Sequence, residues 1–334
     1  MRTAVLGAGS WGTTFAKVVG DAGHPVTVLA RRDEVAAEIR EHRTNSAYLG
    51  DIALGHNVTA TTDAQEALAG AQAVILAVPA QSLRDNLEAV RDLLPADAIL
   101  VSLMKGIERS SGKRMSEVIA EVTGHDPDLI AVVSGPNLAK EIAQEQPTAT
   151  VVAAPDVQTA EAVAELSATS YFRPYTNTDV VGVELGGAVK NVIALAVGMC
   201  DGQGLGDNSK ASIITRGLAE TTRLALAMGA QTHTLSGLAG LGDLVATCAS
   251  PLSRNRSFGR LLGTGMTVDE AVEETRQVAE GVKSASAVLA LGQAHDVELP
   301  ITQAVAAVIS GHLRVDELGA LLLARKRKHE GPAD

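Results

Sequence analysis

The sequence predicts an α/β protein: a parallel, doubly wound sheet domain followed by an all-helical domain. Three observations predict it. Short Val/Ile/Leu runs alternate with helical patterns through the first half of the chain. The strand signal stops near Asp179, and only 3.6-residue periodicity continues beyond it. A glycine-rich turn closes the first strand and opens a helix.

Taken in order, the predicted strands are Thr3–Leu6, Val26–Ala30, Val58–Ala60, Ala73–Val78, Ile99–Leu103, Ile130–Val133 and Thr150–Ala153. Helical patterns lie between several of them, at Gly12–Ala22, Glu34–Glu41, Gln81–Leu93 and Lys113–Val122. Near-continuous apolar strands of this kind suit a parallel sheet covered on both faces. Tyr171–Asn177 reads as the last strand and the linker. The helices expected after it are Val180–Met199, Ser209–Met228, Ser253–Leu262, Thr267–Glu274, Ser284–His295 and Thr302–Ser310. The division predicted is therefore residues 1–178 and 179–334.

Composition narrows the function classes. With 334 residues, 46% hydrophobic and 20% charged, the chain has ample core for two domains. Aromatics are only 2%, so aliphatic residues and alanine must fill that core. A net charge of −11 argues against nucleic acid as a partner, although local cations can still line a cleft for an anionic substrate. Cys200 and Cys248 form neither a CxxC pair nor a disulfide framework, which fits a reducing compartment. No signal-peptide pattern opens the chain, and the longest apolar run, Val189–Met199, is too short to span a bilayer. A cytoplasmic enzyme without membrane insertion is expected.

Gly7-Ala8-Gly9-Ser10-Trp11-Gly12 has the G-x-G-x-x-G spacing between a strand and a helix. Gly7 makes the tight turn, Gly9 lets backbone approach a pyrophosphate, and Gly12 allows close helix–strand packing. A dinucleotide is the cofactor this implies, its phosphates at the helix N-terminus. Trp11 reads as packing beneath the loop. The second strand ends in Arg31-Arg32, with Asp33 only afterwards. Two guanidiniums suit a ribose 2′-phosphate better than a free hydroxyl, which favours NADP(H) with NAD(H) also accepted. Solvated loop arginines are the alternative.

Lys190 is the only basic residue between Arg173 and Lys210, and it sits in an apolar helix. Burial there requires a partner or a lowered pKa, which makes it a proton-transfer candidate. A lysine snorkelling to water is the competing reading. Gly186-Gly187, one turn earlier, permits close approach, and Asn191 should face the cleft with Lys190. Lys105, in Met104-Lys105-Gly106, and the segment Ser134-Gly135-Pro136-Asn137 fall at predicted strand ends, where open α/β sheets bind ligands. Asp243 follows a glycine-rich run, and Ser253-Arg254-Asn255 opens a predicted helix that could aim N–H groups and a guanidinium at a phosphate. Ordinary capping by Ser253 is compatible with that. No histidine pair has metal-ligand spacing, so no metal is expected, and there is no P-loop or nucleophile elbow.

Taken together these motifs resemble the bacterial NAD(P)-dependent glycerol-3-phosphate dehydrogenases over nearly the whole chain. The resemblance rests on GAGSWGT from Gly7, VPAQ from Val78, KGIE from Lys105 and SGPNLAKE from Ser134. It continues through GVELGGAVKN from Gly182, GLAGLGDL from Gly237, SRNRSFG from Ser253 and VAEG from Val278. It implies a Rossmann domain followed by an all-α domain, a homodimer, and reversible reduction of dihydroxyacetone phosphate to sn-glycerol 3-phosphate for phospholipid synthesis. By position it implies Lys190 as catalytic acid/base and Lys105 as the second lysine, touching substrate and cofactor. Gly135, Lys190, Asp243, Ser253, Arg254 and Asn255 would bind substrate. Gly7, Gly9, Ser10, Trp11, Gly12, Arg31, Arg32, Lys105, Ala139, Arg254, Val278 and Glu280 would bind the cofactor. Asn137-Leu138 departs from the Ser or Thr followed by Phe that the family often carries, and an amide there can still donate a hydrogen bond.

Two rival readings remain at this level. A β-hydroxyacid-type dehydrogenase would share a catalytic lysine but take a carboxylate substrate and lack the Ser253–Asn255 anion site. A nucleotide-binding regulator without activity would have no need of Lys105, Lys190 and Arg254 together.

Overall fold

The structure, a computed structural model, describes residues 1–275 and 279–318. Val278 and the basic run Arg325–Lys328 lie outside the described residues. The first half runs β1 (Thr3–Leu6), α1 (Ser10–Asp21), β2 (Val26–Leu29), α2 (Asp33–His42), α3 (Ser46–Leu49) and β3 (Val58–Thr61). It continues with α4 (Ala64–Leu68), β4 (Ala73–Leu76), α5 (Leu83–Val90), β5 (Ile99–Ser102), α6 (Met115–Thr123) and β6 (Ile130–Ser134). It ends with α7 (Ala139–Ala143), β7 (Thr148–Ala153), α8 (Val157–Ser167) and β8 (Phe172–Asn177).

The strands form one sheet in the order β3-β2-β1-β4-β5-β6-β7-β8. Residues of β1, β4 and β5 are buried on both faces, as parallel strands under two helical layers must be. Alternate residues feed separate cores. Val5, Ile75 and Val101 pack with Phe15 on one face. Leu6, Leu76 and Leu100 pack with Leu83 and Leu87 on the other.

One part of the expected topology is corrected. The sheet is not wholly parallel: β7 runs antiparallel to β6, and β8 is parallel to β7. The connection through α7 stays at the carboxyl end of β6, so the chain re-enters the sheet from that end and runs back beside it.

The second half is helical: α9 (Val180–Gly202), α10 (Asp207–Ala227), α11 (Thr232–Ser236), a π-helical turn at Leu238–Gly242, and α12 (Asp243–Ala249). Then follow α13 (Arg254–Gly263), α14 (Val268–Thr275), α15 (Glu280–Ala294) and α16 (Pro300–Ile309). At 23 residues and mean hydropathy 1.7, α9 is longer than the sequence suggested and apolar enough to cross a bilayer by composition. It is instead the central core helix, with 94% of that apolar window buried inside the protein.

Packing around α9 depends on missing side chains. A Cβ on Gly198 would lie 2.1 Å from the Arg256 carbonyl, and one on Gly259 would lie 2.2 Å from the Leu195 carbonyl. Gly202 and Gly263, each four residues further on, repeat the contact at 2.2 Å from the Arg260 carbonyl and 2.3 Å from the Met199 carbonyl. The α9–α13 crossing is therefore backbone against backbone, and it seats the start of α13 beside the middle of α9. Gly259→Ala must push the two helices apart. Overpacking of this kind costs about 1–3 kcal/mol or more, so the thermal midpoint should fall by several degrees. An unchanged midpoint in a melting experiment would refute so close a crossing.

Candidate active site

The carboxyl ends of β1, β5 and β6 and the first half of α9 converge on one cleft. At its nucleotide end, Gly7 takes a left-handed φ of +113°, and a Cβ on it would lie 2.6 Å from the Ala77 carbonyl. A Cβ on Gly12 would lie 2.1 Å from the Gly7 carbonyl, whereas Gly9 has nothing within 4 Å of its Cβ position. The first and third glycines are thus needed for packing, and the second leaves room over the start of α1, which begins at Ser10. Trp11 meets Phe15 edge to face at 5.6 Å, as expected of a side chain packed beneath the turn. Asn45, fully buried, braces the loop by donating from Nδ2 to the Ala8 carbonyl at 3.0 Å and to Thr13 Oγ1 at 2.8 Å. Ala139, the first residue of α7, ties in through its carbonyl, which accepts from Thr14 Oγ1 at 3.2 Å. Arg31 and Arg32 are exposed just beyond β2. Asp33 is occupied by Thr62, whose hydroxyl donates to it at 2.7 Å.

At the other end two lysines share one carboxylate. Lys190 Nζ donates to Asp243 Oδ1 at 2.5 Å and to Thr247 Oγ1 at 2.7 Å. Lys105 Nζ donates to Asp243 Oδ2 at 2.5 Å and to the Gly135 carbonyl at 2.9 Å. Asp243 is 1% exposed, and the Lys190 side chain is 9% exposed. Lys190 is therefore paired inside the protein and does not snorkel to solvent. Burial pushes the Lys105 ammonium down to about 7; Asp243 resists that fall and the neighbouring Lys190 charge adds to it. Two cations against one anion leave the pocket positive.

Glycines set these distances. A Cβ on Gly187 would lie 2.8 Å from Ser134 Oγ and 3.2 Å from Lys105 Cγ; one on Gly186 would lie 2.6 Å from the Ala239 carbonyl. Asn191, itself buried, donates from Nδ2 to the Lys105 carbonyl at 3.3 Å. Its Oδ1 accepts from Asn255 Nδ2 at 2.9 Å, and Asn255 Oδ1 accepts from Gly281 N at 2.8 Å. The helix carrying Ser253-Arg254-Asn255 is thereby locked to the lysine pair. Ser253 caps α13, accepting from Arg256 N at 3.2 Å. That leaves the Asn255 N–H, in the first turn, without an intrahelical partner. Asn255 keeps one amide hydrogen to offer.

Among the described residues, the buried side-chain atoms without a partner are Trp11 Nε1, Asn45 Oδ1, Ser134 Oγ, Asn137 Oδ1, Glu280 Oε1 and Ser284 Oγ. Folded proteins leave few such atoms. These belong to the glycine turn and its brace, the segment after β6, and the start of α15. Asn137 keeps its Oδ1 free because its Nδ2 donates to Thr150 Oγ1 at 3.0 Å. Burial pushes the Glu280 carboxyl up, against the charges of Lys283 and Arg254. An open face above Gly9, a helix N-terminus and unpartnered polar atoms along one wall fit a dinucleotide. The sequence did not single out Asn45, Thr247 or Ser284. Thr247 stands four residues after Asp243 and becomes visible once that segment is read as a helix.

Known proteins share this sequence and fold. The family description "NAD-dependent glycerol-3-phosphate dehydrogenase N-terminus" matches residues 2–160, and the corresponding C-terminus matches residues 179–320. A glycerol-3-phosphate dehydrogenase [NAD(P)+] from Thermobifida fusca is 59% identical over 330 residues, 98% of each chain. One from Corynebacterium diphtheriae is 57% identical over 331 residues, covering 99% of this chain and 100% of its own. The crystal structure of glycerol-3-phosphate dehydrogenase from Coxiella burnetii superposes with a TM-score of 0.92 at 36% identity, covering 97% of this chain and 99% of its own. The chain belongs to the NAD-dependent glycerol-3-phosphate dehydrogenase family.

Proposed function

We propose that this protein reversibly reduces dihydroxyacetone phosphate to sn-glycerol 3-phosphate, using NADPH and also accepting NADH, and so feeds glycerophospholipid synthesis. The observation that carries the reading is the pair of buried lysines on Asp243, beside the glycine turn and the start of α13. We assign residues 1–178 to cofactor binding and residues 179–334 to substrate, in a cytoplasmic homodimer.

When bound above Gly9, the dinucleotide supplies a hydride. Reduction then builds alkoxide charge on the ketone oxygen, which needs a nearby cation and a proton. Lys190 lies within the positive pocket and serves as both; Asp243 holds its ammonium in place, and Thr247 fixes its direction. Lys105 adds the second charge and, with its pKa near neutrality, a proton that exchanges readily. The substrate phosphate is received at the start of α13 by Ser253, Arg254 and Asn255, so remote binding energy orients the carbonyl. Gly135 contributes through its carbonyl, which holds Lys105. Arg31 and Arg32 receive the 2′-phosphate of NADPH. Trp11, Ala139 and Glu280 line the remainder of the cofactor site, to which we also assign Ser10 and Val278.

Four outcomes are expected. Purified protein should oxidise NADPH with dihydroxyacetone phosphate and not with a panel of 2-keto and 3-hydroxy acids. In that assay Lys190→Ala should lose most of kcat while still binding NADPH by fluorescence titration; near-normal turnover would sink the assignment. The pH profile should carry the Lys105 ionisation. Its folded pKa is lowered to about 7, so the ammonium is lost above that pH. Reduction consumes a proton, so its kcat/KM should decline as pH rises through about 7, while oxidation of the product gains. Lys105→Arg should move that limb upward, and a limb left in place would exclude Lys105 as its source. Finally, replacing Arg31 and Arg32 together by Ala should raise KM for NADPH more than for NADH. Equal losses would remove the 2′-phosphate argument.

A further inference from the structure

Glu184, Gly187 and Asn191 are spaced three and four apart on α9 and form the face turned to the sheet domain. Gly187 closes on Lys105 and Ser134, and Asn191 holds the Lys105 carbonyl. Glu184, with its side chain 3% exposed, makes the third contact. Its carboxylate accepts from Ser116 N at 2.8 Å, Ser116 Oγ at 2.6 Å and Arg114 Nη1 at 2.7 Å. Ser116 lies in the first turn of α6, so the anion meets a positive helix end as well as a guanidinium. None of these atoms belongs to the lysine pair or the glycine turn. Lys190 stands six residues further on, about 9 Å along the helix axis.

A buried carboxylate is costly unless fully bonded, and hydrophobic packing would join two domains as well. What an anion with three fixed donors adds is direction. With Asn191 at the far end of the same face, Glu184 fixes both the rotation of α9 about its axis and its height against the sheet. A slip in either would carry Lys190 away from the carboxylate it shares with Lys105. We propose that Glu184 is a positioning residue for the reduction, clasping Ser116 and Arg114 across the domain boundary so that Lys190 and Lys105 meet at Asp243. The inference rests on the assignment of Lys190 and Lys105 as the reacting groups.

The test is Glu184→Gln, which keeps shape while removing the charge and one acceptor oxygen. Misplacement by about 1 Å at a reacting centre costs on the order of a hundred-fold, so kcat for dihydroxyacetone phosphate should fall by roughly ten- to a hundred-fold. The NADPH dissociation constant, measured by fluorescence titration, should stay within about threefold, because the clasp touches no cofactor residue. With NADPH deuterated at the transferred position, the isotope effect on kcat should rise above that of the parent, since hydride transfer becomes slower relative to other steps. A kcat within about twofold of the parent would overturn the inference. So would a fall in kcat with an unchanged isotope effect, which is what a smaller folded fraction gives. If Glu184→Gln does not fold, Arg114→Met and Ser116→Ala break the clasp from the sheet side and must reproduce the same two signatures, or the inference fails. Retained turnover in Lys190→Ala would overturn the functional reading and the clasp with it, whereas parent-like turnover in Glu184→Gln beside an inactive Lys190→Ala would overturn the clasp alone.

Discussion

Two ammonium groups held against one buried carboxylate govern the arrangement of both domains. Lys105 arrives on a loop after β5, Lys190 from the middle of α9, and Asp243 from the first turn of α12. Breaking a buried ion pair by removing one partner costs about 3–5 kcal/mol, because the remaining charge is stranded. The three elements must therefore approach to within side-chain reach and stay there. Gly186 and Gly187 remove the side chains that would hold them apart. Asn191 and Asn255 carry the same fixed geometry onward to α13 and α15. The positive pocket is thus a consequence of where α9 is seated, and α9 is seated by close contacts at Gly186, Gly187, Gly198 and Gly202.

Those contacts explain a feature of the composition. The chain carries 32 glycines and few aromatics, and its central helix is lined with Gly186, Gly187, Gly198 and Gly202. A helix with bulky side chains at these positions would stand about 8–10 Å from its neighbours. At that spacing the Lys105 carbonyl would leave the range of Asn191. Glycine weakens a helix by about 1 kcal/mol relative to alanine. Burial of nearly every residue from Gly182 to Cys200 offsets that loss.

What the sequence made legible follows period and local chemistry. Seven strands and the linker strand were readable because apolar runs bounded by turns need no knowledge of partners. The long helices were readable from periodicity. The glycine turn was readable because its three positions have separate steric jobs. The reversed direction of β7 was not, since strand runs carry no sign and only the path of the chain through α7 decides it. Nor were α8 and α12 picked out. The first is an Ala-rich helix whose apolar face is built largely of small residues, and the second begins within a glycine-rich run that makes a π-turn before it becomes helical. Lys190 could be marked as an anomaly from its neighbours, but its partner lies 53 residues away and the choice between pairing and snorkelling needed the fold. Glu184 was hidden for the same reason. An acid near a helix start reads as favourable to that helix, and its true partners lie 68 and 70 residues earlier.

The overall charge and the site charge have opposite signs, and the difference has a physical use. At −11 the surface as a whole repels the phosphorylated ligands a cleft of this kind would take. Screening limits that repulsion to about 8 Å at physiological ionic strength. Inside the cleft, low dielectric strengthens the attraction of Lys105, Lys190 and the α13 N-terminus, and the net positive charge left by one carboxylate between two lysines acts over a few ångströms. An anion is therefore weakly repelled at a distance and strongly held once it reaches the strand ends. Exposed Arg31 and Arg32 sit at the rim, where a cofactor phosphate would meet its first cations. In the proposed reaction the buried pair would be kept for the carbonyl, because a cation already neutralised by a cofactor phosphate could not respond to charge developing on the substrate oxygen.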